Sequence, residues 1–177
     1  FRLPTPKGTY AQLAANIETN LLAEFVKAIK TGRKIYGNEG GPQANVVECA
    51  VALNREPQTS EWIDWIFQEG TVGQGATKPG EGGHIPQLIL GTIDRDGAGA
   101  EGSPGYSLSW GAALGAAADL LEEYGKSRRS IYREFPQFKQ TITAGWRLAV
   151  LAANTPHIGD TGACGSRGVI YGDPNFI

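Results

Sequence analysis

Tyr106 closes a loop that could do chemistry. The run Ile93–Trp110 reads IDRDGAGAEGSPGYSLSW, so Asp94, Arg95, Asp96 and Glu101 sit among glycines just ahead of an alanine- and leucine-rich segment. Glycines let a backbone turn tightly and approach a ligand closely. A helix start adds free N–H donors that favour an anion. A second loop of similar make-up, Tyr36-Gly37-Asn38-Glu39-Gly40-Gly41-Pro42, precedes another apolar run. Taken singly, these residues read more simply: Asn38 as a turn or helix-start residue, and Tyr106 as a core-edge ring with its hydroxyl satisfied. Residue chemistry alone therefore describes a helical domain with a polar cleft open to an anionic ligand.

Other constellations carry less. Asp94-Arg95-Asp96-Gly97 places glycine fourth and Ala98 fifth, whereas a calcium loop needs an acid fifth and glycine sixth. A structural turn, with the two aspartates bonded to nearby backbone, suits the pattern better. Asp160-Thr161-Gly162 matches the aspartic-protease triplet, but no second copy exists and the surroundings are helical. With His84 and His157 the only histidines and Cys49 and Cys164 the only cysteines, no metal spacing is present and no metal or cofactor is expected. Cys49 reads as a buried thiol and Cys164 as a loop thiol. Neither a G-x-S-x-G elbow nor a phosphate loop occurs.

These loops need elements to hold them. At 177 residues the chain suffices for one domain with a core. A net charge of −2 supplies no basic face for nucleic acid. No apolar run reaches the ~20 residues of a membrane span, and no secretory segment opens the chain. It starts at Phe1 and holds no methionine, so the expectation is a processed chain or an excerpt of a longer one.

Leu13, Ile17, Leu21, Phe25 and Ile29 recur every four residues and predict an amphipathic helix over 9–31, stopped by Gly32. An interior helix follows from Gln43 to Asn54, apolar on most sides. Thr59-Ser60-Glu61 opens a third with Trp62, Trp65 and Ile66 on one side, a spacing that makes the tryptophans core residues rather than sugar platforms. Residues 70–83 read as a long loop, and Ile85–Ile93 fits strand or helix equally. Tyr106–Tyr124, ended by Gly125, and Phe135–Asn154 complete the helices. The fold class is all-α, built of antiparallel helix pairs with long glycine-rich loops.

Four stretches together carry a family likeness: Gly37–Gln43, Ser60–Phe67, Ile93–Tyr106 and Pro156–Thr161. The third, D-x-D-G followed by E-x-S-P-x-Y, is the most specific. The chain resembles the helical domain of heparinase II/III-like polysaccharide lyases over roughly residues 35–165. That resemblance implies an incomplete α/α toroid, residues 1–177 forming a single α-helical domain within a larger chain that adds helices and a β-sandwich. It further implies an anionic polysaccharide or oligosaccharide as partner, no membrane span, and a periplasmic or secreted location.

The chemistry implied is β-elimination on a uronic-acid polymer. The proton beside a carboxylate is weakly acidic, so its removal needs that carboxylate neutralised, a base in reach, and an acid for the leaving oxygen. On this resemblance Asn38 would bond the uronate carboxylate, and Tyr106 would protonate the leaving group and serve as base. A tyrosine pKa near ~10 calls for help from Arg95 and His84. Glu39 occupies a position where many relatives carry histidine, as a substitute base or as the mark of a different substrate or lost activity. Glu101 and Gln43 would orient Tyr106 and sugar hydroxyls. Two other classes stay open: a non-catalytic carbohydrate-binding or structural helical domain, and a helical glycoside hydrolase pairing Glu39 with Glu101 or Asp96.

Overall fold

Glycine and proline decide where most of the helices begin and end. The computed structural model describes residues 8–32, 40–70, 82–100 and 103–148, with backbone alone at 72–73, 76–77, 110 and 145–148. Regular structure among these residues is mostly helical, as an all-α chain requires. The first helical course runs through α1 (Tyr10–Ile17), a π-helical segment (Glu18–Ala23) and α2 (Glu24–Lys30). Thr9 caps it by accepting from the Gln12 amide at 3.2 Å. Gly32, at φ +68°, ends it.

The apolar stripe of this course is a core face only at its far end. Val26 and Ile29 are buried, whereas Leu13, Ile17 and Leu21 are exposed, Leu21 to 60%. The wide π turn shifts the helical phase, and the π segment and α2 pack on the following helix, while α1 buries none of its residues.

That helix, α3 (Gly41–Leu53), is interior as expected, with Val46, Val47 and Ala50 fully buried. It packs against α4 (Gln58–Ile66) and α6 (Pro104–Tyr124). Trp62 and Trp65 of α4 belong to the core, each 6% exposed, and Lys30 lies 5.4 Å over the Trp65 ring. Thr59, fully buried, donates to the Ala50 carbonyl at 3.0 Å and accepts from the Arg55 amide at 2.8 Å, tying the two helices across their turn. At the far ends of α3 and α6 the Tyr124 hydroxyl donates to Asn54 Oδ1 at 2.9 Å, so their C-terminal ends meet.

Residues 70–83 carry a minimal antiparallel ladder, β1 (Val72–Gly73) with β2 (Ala76–Thr77). Ile85–Ile93 resolves as a helix, α5 (Ile85–Thr92), which buries Ile85, Leu88 and Ile89. A helix lets one face of this mostly apolar run reach the core while Leu90 stays outside. The expected helix from Phe135 is corrected. Pro136 disfavours helical geometry at the residue before it, and Phe135 is indeed non-helical (φ −130°, ψ 72°). The chain forms instead α7 (Ile131–Glu134), a 3-10 turn (Pro136–Lys139) and α8 (Gln140–Leu148). Residues 149–154 of that expectation lie outside the described residues. No helix among the described residues is long and apolar enough to cross a membrane.

Candidate functional site

Pro104 begins α6, where its missing N–H costs nothing and its φ is already helical. Tyr106 follows in the first turn, 39% exposed. The loop before it is closely pinned. Ile93 and Gly99 form an isolated bridge, the Asp94 amide donates to the Ala98 carbonyl at 2.7 Å, and the Gly97 amide donates to the Asp94 carbonyl at 2.9 Å. Asp96 Oδ1 accepts from the Ala98 amide at 3.1 Å and Asp94 Oδ1 from the Arg95 amide at 3.3 Å. Both aspartates therefore hold a turn, and no group of acids, histidines and cysteines suited to a metal occurs among the described residues.

Two further contacts seat this turn. Ser107 donates to the Gly99 carbonyl at 2.8 Å. Gly97, at φ +90°, lies so close to α8 that a Cβ there would stand 2.3 Å from the Gln140 carbonyl oxygen. Only glycine fits both the conformation and the space. Tyr106 thus projects from a helix start tied to this turn, in which Arg95 is exposed. Ser103, at the helix cap, is buried, and its hydroxyl has no hydrogen-bond partner among the described residues.

Gln43 and His84 belong to a neighbouring corner. Gln43 is 1% exposed. Its Oε1 accepts from the Gly40 amide and its Nε2 donates to the Gly83 carbonyl, both at 3.1 Å. The side chain thereby ties the start of α3 to the start of α5. Gly83 is pressed on α4, its amide 2.7 Å from the Trp65 carbonyl, with room for no Cβ beside Ile66. His84 caps α5 in a left-handed conformation at φ +75°, and its Nδ1 is buried without a partner. The structure brings Gln43 onto the backbone beside His84, and it ties the turn that carries Arg95 to the first turn of the helix that carries Tyr106 through Ser107 and Gly99. Asn38, Glu39 and Glu101 lie outside the described residues, as do Cys164 and the stretch from Pro156 to Thr161.

No family model, no curated protein and no solved structure matches this chain. The functional argument rests on its own residues.

A second feature was not foreseen. A cleft of about 460 Å³ opens at the opposite end of α6, lined by Glu56, Ser60, Ile63, Asp64, Tyr124 and the run Lys126-Ser127-Arg128-Arg129. Its sequence signal was there to read: Glu56, Ser60, Ile63 and Asp64 share one face at helical spacing, and a basic run follows the helix-stopping Gly125. Arg129 crosses the Phe67 ring at 4.2 Å and grips Glu134 through two bonds, Nε to Oε1 at 2.8 Å and Nη2 to Oε2 at 2.5 Å. Burial works to raise the Glu134 pKa. The Arg129 hydrogen bond, the Ser130 amide and the charges of Arg129 and Arg133 outweigh it and hold that carboxyl below its ordinary value. Burial, then Glu56, pushes the Tyr124 hydroxyl up. Cys49 is a free, half-buried thiol, raised by burial first and by Glu48 second.

Proposed function

We propose that this chain is the helical part of a heparinase II/III-like polysaccharide lyase that cleaves a uronic-acid polymer by β-elimination. The observation that carries the reading is Tyr106 itself, a tyrosine held partly open to solvent on the first turn of a 21-residue helix, behind a turn pinned to two helices. A catalytic acid or base must be both accessible and held in position, and a core-edge tyrosine would bury its ring instead.

In this reading Asn38 bonds the uronate carboxylate and lowers the cost of the negative charge that builds up as the adjacent proton leaves. That C–H bond breaks as the carbon–carbon double bond forms, and the glycosidic oxygen departs with a proton from Tyr106. Arg95 stabilises the tyrosinate between turnovers, and His84 supports proton movement from the neighbouring corner. Glu39 stands as the base where relatives carry histidine, and Glu101 orients Tyr106. Gln43 acts by position, since its amide joins the two loops that flank the corner. The arrangement in an incomplete α/α toroid of antiparallel pairs is part of the proposal. It is supported by the meeting of the α3 and α6 C-terminal ends and by the tight α3–α4 turn. Helices so aligned start at one end, where the Asn38 and Tyr106 loops would share a cleft. Action on an extracellular polymer places the protein in the periplasm or outside the cell.

The test is an assay on a panel of uronate polysaccharides, following the ultraviolet absorbance of the unsaturated product. Rising absorbance is the expected result. New reducing ends without absorbance would replace elimination by hydrolysis, and saturable binding with neither signal would make this a carbohydrate-binding domain.

A further inference from the structure

The cleft at the C-terminal end of α6 lies one helix length from Tyr106, about 30 Å away, and takes no part in the function proposed above. Its two walls carry opposite charge. Glu56 and Asp64, with Ser60 between them, lie on the α4 side, and Lys126, Arg128 and Arg129 line the segment after α6. Arg129 is already neutralised by Glu134. Among the described residues Lys126, Arg128 and Glu56 then have no ion pair, and Asp64 has one weak pair only. Asp64 comes only within 4.0 Å of Arg129. Glu56 accepts one long bond, 3.4 Å, from the Ser60 amide. Lys126 donates to the neutral Asn54 Oδ1 at 2.9 Å and leans on the Tyr124 ring. Arg128 has no hydrogen-bond or ion-pair partner among the described residues.

Opposite charges that are weakly paired or unpaired on the two sides of a cleft complement a ligand that brings both signs. A simple anion drawn to Lys126 and Arg128 would be repelled by Glu56 and Asp64, and a simple cation would meet the reverse, so neither gains net attraction. We propose that this cleft binds a short zwitterionic peptide, its ammonium end toward Glu56 and Asp64 and its carboxylate end toward Lys126 and Arg128. Size narrows the choice. About 460 Å³ falls in the range of small-ligand sites. A free amino acid, with its charges one carbon apart, would leave much of that volume empty. Three extended residues span roughly 10 Å and fill it further. Ser60, Ser127 and the Tyr124 hydroxyl offer partners for peptide groups, and buried Ile63 gives an apolar floor.

Titration of the full chain with trialanine, followed by calorimetry and by amide shifts of Ser60 and Ser127, tests this directly. Saturable binding is expected. N-acetyl-trialanine and trialanine amide, each lacking one charge, should bind at least about tenfold more weakly. Arg128→Gln and Asp64→Asn, both on exposed side chains, should each weaken trialanine by about tenfold, while Lys27→Gln on α2 changes nothing. Circular dichroism of each variant confirms that the helices persist. The proposal is overturned if a capped peptide binds as tightly as trialanine, if Asp64→Asn tightens binding, or if no saturation occurs up to about 20 mM. Failure here leaves the uronate assay untouched, because that assay reads the other end of α6.

Discussion

At its first turn α6 meets glycines, and at its last it meets charges. The Tyr106 end is shaped by backbone: Gly97 lies against Gln140, Gly83 against Ile66, and Gln43 bonds two main-chain groups. Tyr106 and Arg95 take no part in those contacts and stay exposed. At the Tyr124 end, side chains do the holding. Asn54 accepts from both Tyr124 and Lys126, and Arg129 spans Phe67 and Glu134. The contrast separates two ways of making a site. Backbone packing gives a rigid corner that presents a few groups for chemistry, whereas a charge network gives an open cleft whose groups suit recognition. Backbone contacts tolerate almost no substitution, because a Cβ has nowhere to go. Exposed charge contacts yield by a fraction of a kcal/mol to about 1 kcal/mol.

Substitutions can break that contrast in descending order of effect. Tyr106→Phe should lower β-elimination by about 10²–10⁴-fold, the usual weight of a general acid or base, with an unchanged circular dichroism spectrum. Retained activity removes Tyr106 from the chemistry. Gly97→Ala, which strains a φ of +90° and drives a Cβ into the Gln140 carbonyl, should cost about 2–4 kcal/mol in urea unfolding. A loss below ~1 kcal/mol would mean the turn can shift off α8. Gln43→Ala orphans the Gly40 amide and the Gly83 carbonyl and should cost about 2 kcal/mol, read as a lower denaturant midpoint at constant m value. A near-neutral result would sever the link between the α3 and α5 corners.

Glu134→Gln, at the charged end, should cost only about 1 kcal/mol. Here pH sharpens the test. The Glu134 carboxyl titrates lower in the folded chain than its ordinary value, so its stabilisation is complete above the unfolded pKa near ~4.3 and disappears as pH falls through the folded value. Thermal unfolding of wild type and Glu134→Gln should therefore differ at neutral pH and converge in acid. A gap that persists at the acid end would show that Glu134 holds Arg129 by geometry and not by charge.

Parts of this molecule were legible in one dimension. Helix stops at Gly32 and Gly125 appear where glycine precedes a change of pattern, and both adopt positive φ. The tryptophans of α4 are core residues, as their spacing implied. The aspartates at 94 and 96 hold a turn, because a glycine fourth in the run suits a turn and no calcium loop. Elsewhere the pattern misled. The stripe from Leu13 to Leu21 has helical period but stays exposed, since periodicity records an apolar face and is silent on what covers it. Pro136 sits inside a run that otherwise reads as helix, and its effect on Phe135 breaks the element there.

Local chemistry alone determined the helices, most of their ends and the turn ahead of Tyr106, since capping, chirality and glycine conformation act over a few residues. Tertiary structure decided which of those groups are free. Gln43 reads as a polar candidate in sequence and becomes a buried strut only when Gly83, 40 residues on, closes against it. Glu56 and Arg128 are ordinary surface charges until the ends of α3 and α6 meet and set them across one cleft. Such pairings depend on long-range packing, where the energy of a contact lies in its partner and no single stretch of chain records it.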